Sequence, residues 1–394
     1  MTRNATRILI APDKFKGSLS AREIAENIAA GLREILPNAK IDIVPMADGG
    51  EGTADVICDA LEGSWVTCKA HDPLGREIDG RYAYIENKKL AIMEMSEAAG
   101  MRRVQPDERN VDLASTFGVG EMLLEAVGHG AHEIIIGLGG SATNDGGFGV
   151  GRALGFRFLE GDEELAGAVA ELERLTRIEL PGDVEALATA SAYSKDRRLT
   201  QPPLQLDLPR IIAAADVRNP LLGQNGATRV FGPQKGATKD KIDLLERALT
   251  KLADVVSKDL GVDYRDEPGA GAAGGLGFGL MSFCGAEIRS GFDVVIEAVD
   301  LISKMKDVDF VITGEGSLDR QTLEGKTPAG VARLAHQLGK RVFAVVGRAS
   351  KDRQVREIFD EVYVTTRLGM SEKESTVRVA ELLRERAREL AQSL

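Results

Sequence analysis

One segment determines how the chain is interpreted: Gly137-Leu138-Gly139-Gly140-Ser141-Ala142-Thr143-Asn144-Asp145-Gly146-Gly147. It follows an apolar run, His132 to Ile136, that predicts a buried strand, and it precedes a predicted short helix, Phe148 to Leu154. Five glycines among its eleven residues let the backbone approach a ligand and adopt positive φ angles. A strand, a glycine-rich turn and a helix N-terminus predict a phosphate site built from free backbone N–H groups. The alternative is a tight strand-to-helix turn without a ligand.

Composition narrows the class of protein. With 394 residues, 43% of them hydrophobic and 28% charged, the chain is typical of a soluble protein of two domains. The net charge is −11 and no basic stripe is present, so we expect no nucleic-acid partner. The segment Met1 to Arg7 has no apolar h-region and the sequence has no apolar run of about 18 residues, so we expect no signal peptide and no membrane association. The cysteines, Cys58, Cys68 and Cys284, lack metal-site spacing and indicate reduced thiols in a cytoplasmic protein.

The first part of the chain has the pattern of a parallel α/β sheet. Arg7 to Ala11 predicts a strand, and Ser20 predicts the N-cap of a helix with a capping box. Ile41 to Val44 predicts the second strand, followed by the glycine-rich loop 45–53. Ligands bind at the carboxyl ends of the strands in such sheets, so the loop 12–18 and the loop 45–53 are candidate binding loops.

The same pattern returns near residue 291. It follows a middle section that begins near residue 65 and whose first part has the pattern of β-hairpins. The predicted elements are a helix marked by Phe292 to Ile302 and strands at 308–313, 341–346 and 361–365. We therefore expect an α/β protein of two domains. A discontinuous Rossmann-like or flavodoxin-like three-layer α/β/α domain, 1–65 and 291–394, would contain an inserted mixed α/β domain, 66–290.

Four loops combine glycine with carboxylate or amide side chains. They contain the pairs Asp48 and Glu51, Asn144 and Asp145, Asp216 and Asn219, and Glu315 and Asp319. Such oxygens suit Mg²⁺ together with phosphate oxygens, and phosphoryl transfer also needs cations and a residue that orients the attacking hydroxyl. The candidate cations are Lys14, Lys16, Lys235 and Lys326. Any single aspartate among them has an alternative interpretation as a turn former or helix cap.

Three possible motifs lack the sequence or structural context that each of them requires. Gly325-Lys326-Thr327 resembles the end of a P-loop, but Arg320 stands where that motif requires a glycine. Residues 269–274 match G-x-G-x-x-G, yet a polar segment and not a strand precedes them, which disfavours a nucleotide-dependent dehydrogenase. None of the four histidines lies in a glycine-rich loop, so a hydrolase triad is also disfavoured.

The ordered motifs resemble, nearly end to end, those of bacterial glycerate kinases of the type II family. The matches include APDKFKGSLS at 11–20, PMADGGEGT at 45–53 and TGEGSLDRQT at 313–322, and further runs at 115–121, 137–147, 216–221, 231–237, 268–275 and 325–326. The resemblance implies two α/β domains with one inserted in the other, ATP with Mg²⁺, and D-glycerate as the small-molecule substrate. The sequence departs from the family pattern in an extension, 191–203, and in a bulky Arg348 in the segment 347–350.

On this resemblance we expect an active site in the cleft between the two domains. The expected catalytic residues are Asp216, Asp319, Lys16 and Glu315, with Asp216 and Glu315 as metal ligands. The expected substrate-binding residues are Asp13, Lys14, Ser18, Asp48, Gly49, Gly50 and Glu51. The expected nucleotide-binding residues are Gly139, Gly140, Ser141, Thr143, Asn144, Asp145, Asn219, Lys235 and Lys326.

The expected product is 2-phosphoglycerate, because the glycerate kinases that this sequence resembles are of the kind that phosphorylates the 2-hydroxyl. The alternatives are a kinase that forms 3-phosphoglycerate and a non-catalytic two-lobed protein that binds a small anion. The sequence leaves a homo-oligomer open.

Overall fold

A computed structural model of the chain describes residues 5–181, 208–323 and 327–394. The predicted extension at 191–203 and the candidate Lys326 lie outside these described residues. The fold divides into two compact units, which we call unit 1, residues 1–61 with 291–394, and unit 2, residues 62–290. No helix within the described ranges is long and apolar enough to cross a bilayer.

Unit 1 contains a parallel sheet with helices. Its strands are β1 (Arg7–Ile10), β2 (Lys40–Ile43), β12 (Phe310–Thr313), β13 (Ser317–Leu318), β14 (Arg341–Val346), β15 (Arg348–Ala349) and β16 (Glu361–Val364). Its helices are α1 (Ala21–Ile35), α2 (Thr53–Ala60), α9 (Gly291–Val299), α10 (Leu301–Lys306), α11 (Arg320–Leu323), α12 (Thr327–Gln337), α13 (Arg353–Arg356), α14 (Glu372–Val377) and α15 (Val379–Ser393).

The main sheet of unit 1 has the strand order β16-β14-β12-β1-β2, and every pairing is parallel. Numbered along the chain within this unit, the order is 2-1-3-4-5, which is the flavodoxin-like doubly wound arrangement. The direction of winding changes between β1 and β12. Sheets of this kind bind ligands beyond the carboxyl ends of the strands at that switch point.

The first helix of unit 1 shows how local sequence sets the fold. The predicted capping box is confirmed, because the Glu23 N–H donates to the Ser20 hydroxyl and the Ser20 N–H donates to the Glu23 carboxylate at 2.8 Å. Ile24 and Ile28 are buried on the inner face of α1. Helix α15 approaches α1 closely at Gly31, where a Cβ atom would lie 2.3 Å from a backbone oxygen of α15.

Unit 2 is built on a mixed sheet. Its strands are β3 (Ser64–His71), β4 (Glu77–Ile85), β5 (Leu90–Glu94), β6 (Glu133–Gly137), β7 (Arg157–Glu160), β8 (Glu163–Glu164), β9 (Arg177–Glu179), β10 (Arg210–Ala214) and β11 (Glu287–Arg289). Its helices are α3 (Ser96–Ala99), α4 (Phe117–Gly128), α5 (Phe148–Ala153), α6 (Ala227–Phe231), α7 (Lys239–Leu260) and α8 (Ala272–Cys284). The six-stranded sheet has the order β11-β10-β6-β5-β4-β3, in which β3, β4 and β5 pair antiparallel and the others parallel. Strands β8, β7 and β9 form a separate small sheet.

The α/β fold class is confirmed, and three details differ from the sequence-based expectation. The single helix expected over Phe292 to Ile302 is two helices, because Asp300 adopts φ 51° and interrupts the helical backbone. Ile302, whose spacing suggested a buried position, is 43% exposed. Residue 65, the expected boundary, lies within β3, whose ladder with β4 already begins at Ser64.

Candidate active site

A cavity of about 370 Å³ opens at the carboxyl ends of the strands of unit 1. Its walls come from the loops that follow β1, β2, β12, β14 and β16, so it lies at the switch point of the sheet. We call it the switch-point cavity. It brings together these residues that the sequence singled out: Asp13, Lys14, Lys16, Ser18, Asp48, Glu315 and Asp319.

The loop after β1 is held in place by its neighbours on both sides. The Asp13 N–H donates to the Gly314 carbonyl at 2.8 Å, and the Pro12 carbonyl accepts from the Met46 N–H at 2.9 Å. The buried Phe15 ring packs into the core, and Phe15 pairs with Leu19 in an isolated bridge. These contacts fix the position of the polar side chains that the loop carries into the cavity.

Two carboxylates of the cavity influence each other. Desolvation by the surrounding protein raises the pKa of Asp13 to about 7, and the negative charge of Asp48 adds to this effect. The Lys14 charge and the hydrogen bond from the Lys14 N–H, at 2.6 Å, act in the opposite direction but do not offset it. The Lys14 ammonium itself donates to the Glu51 carbonyl.

Of the predicted substrate-binding residues in the loop 48–51, one lines the cavity and three do not. Asp48 lines the cavity, and its carboxylate accepts a hydrogen bond from the Gly50 N–H at 3.2 Å. Gly49, Gly50 and Glu51 do not line the cavity. Their part in substrate binding stays a prediction.

Lys16 and a group of hydroxyls supply the remaining polar lining. Among the residues that the structure describes, none pairs with the exposed Lys16 ammonium. Sequence reasoning missed the hydroxyl side chains Ser317, Thr365, Thr366, Ser375 and Thr376, and it treated Arg348 only as a departure from a pattern. The signal that was available is the Thr-Thr pair directly after an apolar strand, where a parallel sheet presents its binding loops.

Glu315 and Asp319 lie in the loop after β12. The buried Glu315 carboxylate accepts a hydrogen bond from the Thr322 hydroxyl at 2.6 Å, and that hydroxyl also accepts from the Asp319 N–H at 3.1 Å. The Glu315 carbonyl accepts from the Gly347 N–H at 3.1 Å, which joins this loop to the loop after β14. The described part of the chain contains no cluster of three or more histidine, cysteine or carboxylate side chains able to hold a metal ion.

In unit 2, backbone N–H groups at the end of the glycine-rich loop already have an acceptor within the protein. The Asp145 carboxylate accepts hydrogen bonds from the N–H groups of Gly147 and Gly149, each at 3.1 Å. These are the N–H groups that the sequence predicted to be free for an anion at the start of α5. Asp145 is fully buried and is engaged within its own unit, so it acts here as an internal cap.

Packing explains part of the glycine content of this loop. A Cβ atom at Gly147 would lie 2.6 Å from the Cα atom of Gly279 in helix α8. Residues 141–147 are buried, and only Gly139 and Gly140 of the loop keep substantial exposure. The predicted contact of Gly139, Gly140 and Ser141 with a nucleotide stays a prediction.

Lys235 forms a buried polar group with the same loop. Its ammonium donates to the Thr143 carbonyl at 2.7 Å, and burial lowers its pKa to about 7 while the charge of Asp145 acts to raise it. The Asn144 amide donates to the Thr228 hydroxyl at 2.9 Å. The Thr143 hydroxyl and the Asn144 carbonyl oxygen are buried and have no hydrogen-bond partner among the described residues.

The two remaining predicted residues of unit 2 follow strand β10. Asp216 is exposed, and Asn219 donates to the Asn225 carbonyl at 2.7 Å. The Asn219 carbonyl accepts from the Gly271 N–H at 2.9 Å, so this residue supports the fold of its own loop. A second cavity in unit 2, of about 430 Å³, is lined by none of the predicted site residues.

Unit 1 is a doubly wound α/β domain with a polar cavity at its switch point, which is the position where domains of this class bind ligands. A model of the glycerate kinase family matches residues 8–394, and the chain belongs to that family of enzymes. A Halalkalibacterium halodurans glycerate kinase is 42% identical over 86% of this chain and 85% of its own. An Escherichia coli K12 glycerate 2-kinase is 41% identical over 88% and 86%. A crystal structure from Salmonella typhimurium LT2, provisionally named glycerate kinase 2, has a TM-score of 0.83 and 38% identity over 99% of this chain and 98% of its own.

Proposed function

We propose that the protein transfers the terminal phosphoryl group of ATP to the 2-hydroxyl of D-glycerate and releases 2-phosphoglycerate and ADP. Membership of the glycerate kinase family supports the substrate, and the name of the Escherichia coli relative supports the 2-position. The proposed location is the cytoplasm.

The observation that carries this proposal is the composition of the switch-point cavity. D-Glycerate has one carboxylate and two hydroxyls, and the cavity offers a cation without a partner among the described residues, Lys16, beside Lys14 and Arg348. The carboxylates of Asp13 and Asp48 can accept hydrogen bonds from the hydroxyls of the substrate, and the hydroxyl side chains of the cavity can either donate or accept them. A carboxylate bound by Lys16 would place the adjacent 2-hydroxyl nearer to this cation than the 3-hydroxyl.

Mg²⁺ belongs to the same proposal. In kinases this ion keeps several waters and uses only one or two protein carboxylates together with phosphate oxygens, so a cluster of three protein ligands is not required. Glu315 fits this requirement because the Thr322 hydroxyl orients its buried carboxylate beside the cavity. The ion would neutralise charge on the phosphate oxygens of the nucleotide. The predicted second ligand, Asp216, stays a prediction.

The product can be tested with purified protein, ATP, Mg²⁺, D-glycerate and enolase. Enolase acts directly on 2-phosphoglycerate, so we expect phosphoenolpyruvate without added phosphoglycerate mutase. A signal that requires the mutase would show phosphorylation of the 3-hydroxyl. No ADP above background would favour the non-catalytic anion-binding alternative, and removal of Mg²⁺ with EDTA should abolish turnover.

Two substrate analogues sharpen the test. D-Lactate keeps the carboxylate and the 2-hydroxyl but lacks the 3-hydroxyl, whereas 3-hydroxypropionate keeps the carboxylate and only the 3-hydroxyl. We expect ADP formation with D-lactate and none above background with 3-hydroxypropionate. The reverse result would contradict the proposed position of attack.

A further inference from the structure

The geometry points to Asp13 as the residue that accepts the proton of the attacking glycerate hydroxyl, and to Asp48 as its positioning partner. This inference rests on the proposed function and adds a role to it, since sequence reasoning gave Asp13 only a part in substrate binding.

The backbone of Asp13 is held more firmly than a surface loop would be. Its N–H donates to the Gly314 carbonyl at 2.8 Å, and the Ala11 N–H just before it donates to the Ile312 carbonyl at 2.7 Å. On the other side, Pro12 accepts from the Met46 N–H. A general base must keep its position relative to the reacting hydroxyl, and a backbone tied to both neighbouring loops provides that constraint.

The Asp13 carboxylate faces a defined set of charges. Asp48 on the loop after β2 raises its proton affinity, and Lys14 beside it lowers that affinity. The other charged groups that line the cavity are Lys16, Glu315, Asp319 and Arg348. With a pKa of about 7, the carboxylate is partly deprotonated at neutral pH and still binds a proton strongly, which is the balance that a general base requires.

Glu315 is the rival for this role on the loop after β12. Its carboxylate accepts a hydrogen bond from the Thr322 hydroxyl at 2.6 Å, so part of its hydrogen-bonding capacity is already used inside the protein. The Asp13 carboxylate accepts hydrogen bonds from the adjacent Lys14 N–H, at 2.6 Å, and from the Thr327 hydroxyl. A carboxylate has about four acceptor positions, so capacity for the substrate hydroxyl remains on Asp13.

The hydroxyl oxygen of glycerate forms a bond to the terminal phosphorus of ATP, and the bond from that phosphorus to the bridging oxygen breaks. The electron pair of the broken bond stays on the terminal oxygen of ADP. The hydroxyl proton passes to the Asp13 carboxylate, which later releases it to water.

The decisive measurement is the pH dependence of kcat/KM for D-glycerate at saturating Mg²⁺ and ATP. This profile reports groups of the enzyme form that D-glycerate binds, here the complex with ATP and Mg²⁺, so the wild type should lose activity as the pH falls through about 7. Asp48→Asn removes a neighbouring negative charge and should move this acid limb down by about one pH unit. Asp42→Asn, an exposed carboxylate on β2, is the matched control and should keep the wild-type limb.

Variants of Asp13 provide the second measurement. Asp13→Asn should lower kcat by roughly 10²- to 10⁴-fold and remove the acid limb, whereas Asp13→Glu should keep the limb and part of the activity. An unshifted limb in Asp48→Asn would overturn the assignment, and so would an Asp13→Asn enzyme within about threefold of the wild type. If Asp13→Asn does not fold, the Asp48→Asn profile still decides. Absence of turnover in the wild type would instead contradict the proposed function itself.

Discussion

The Asp145 carboxylate accepts hydrogen bonds from both the backbone N–H and the hydroxyl of Thr116, each at 2.8 Å. The same carboxylate binds the N–H groups of Gly147 and Gly149. It therefore joins the start of helix α4 to the start of helix α5 inside unit 2. This makes Asp145 a residue on which the stability of unit 2 depends.

We expect Asp145→Ala to lower the free energy of unfolding by roughly 3–5 kcal/mol, because the four buried donors lose their acceptor. Urea denaturation followed by circular dichroism measures this change. Asp162→Ala, which removes a fully exposed carboxylate of the same unit, should change stability by less than about 0.5 kcal/mol. A loss below about 1 kcal/mol in Asp145→Ala would contradict the structural role.

The predicted catalytic residues have a kinetic test. Lys16→Ala, Asp319→Asn and Asp216→Asn should each lower kcat/KM for D-glycerate by at least ~10²-fold, about 2.7 kcal/mol of transition-state stabilisation. For Lys16→Ala the reason is the loss of the cation that we propose to bind the substrate carboxylate, so KM should rise. Steady-state assays of the folded variants give both constants.

The matched control for that series is Lys40→Ala, because Lys40 is an exposed cation on strand β2. It should keep near-normal kinetics. A folded variant of the series with wild-type kcat/KM would remove its residue from the site.

Burial of Lys235 predicts a pH dependence of stability. Its pKa falls from 10.5 to about 7 in the folded protein, so between these values the unfolded chain binds a proton that the folded chain does not. The free energy of unfolding should therefore rise with pH from about 7 to about 10, by up to about 1.4 kcal/mol per pH unit. Denaturation at several pH values measures the slope. Lys235→Met should flatten the dependence of the unfolding free energy on pH, whereas Lys239→Met, at an exposed position, should not. Equal slopes in the wild type and in Lys235→Met would contradict this prediction.

The sequence predicted the parts of the site that follow from general sheet geometry. Asp13, Asp48 and Glu315 are far apart along the chain, yet each follows a strand of one parallel sheet. Because parallel strands end at a common edge, their loops could be expected to meet there. The capping box at Ser20 is also local, and its two partners are close in sequence.

The parts that the sequence did not predict depend on tertiary packing. A carboxylate before two glycines can bind a ligand or cap its own loop, and only the position of Thr116 shows that Asp145 does the latter. The burial of Lys235 likewise depends on the Thr143 carbonyl, 92 residues earlier in the chain. The hydroxyl of Ser375, which hydrogen-bonds with that of Thr366 at 2.8 Å, has no local sequence signal of a cavity.

The proton-coupled ³¹P spectrum of the product distinguishes phosphorylation of the 2-hydroxyl of D-glycerate from phosphorylation of the 3-hydroxyl. Phosphorus on the 2-oxygen couples to the single proton on C2, whereas phosphorus on the 3-oxygen couples to the two protons on C3. We predict that protein, ATP, Mg²⁺ and D-glycerate give a new phosphomonoester doublet alongside the ADP resonances. A triplet, or no new phosphomonoester signal, would contradict the account.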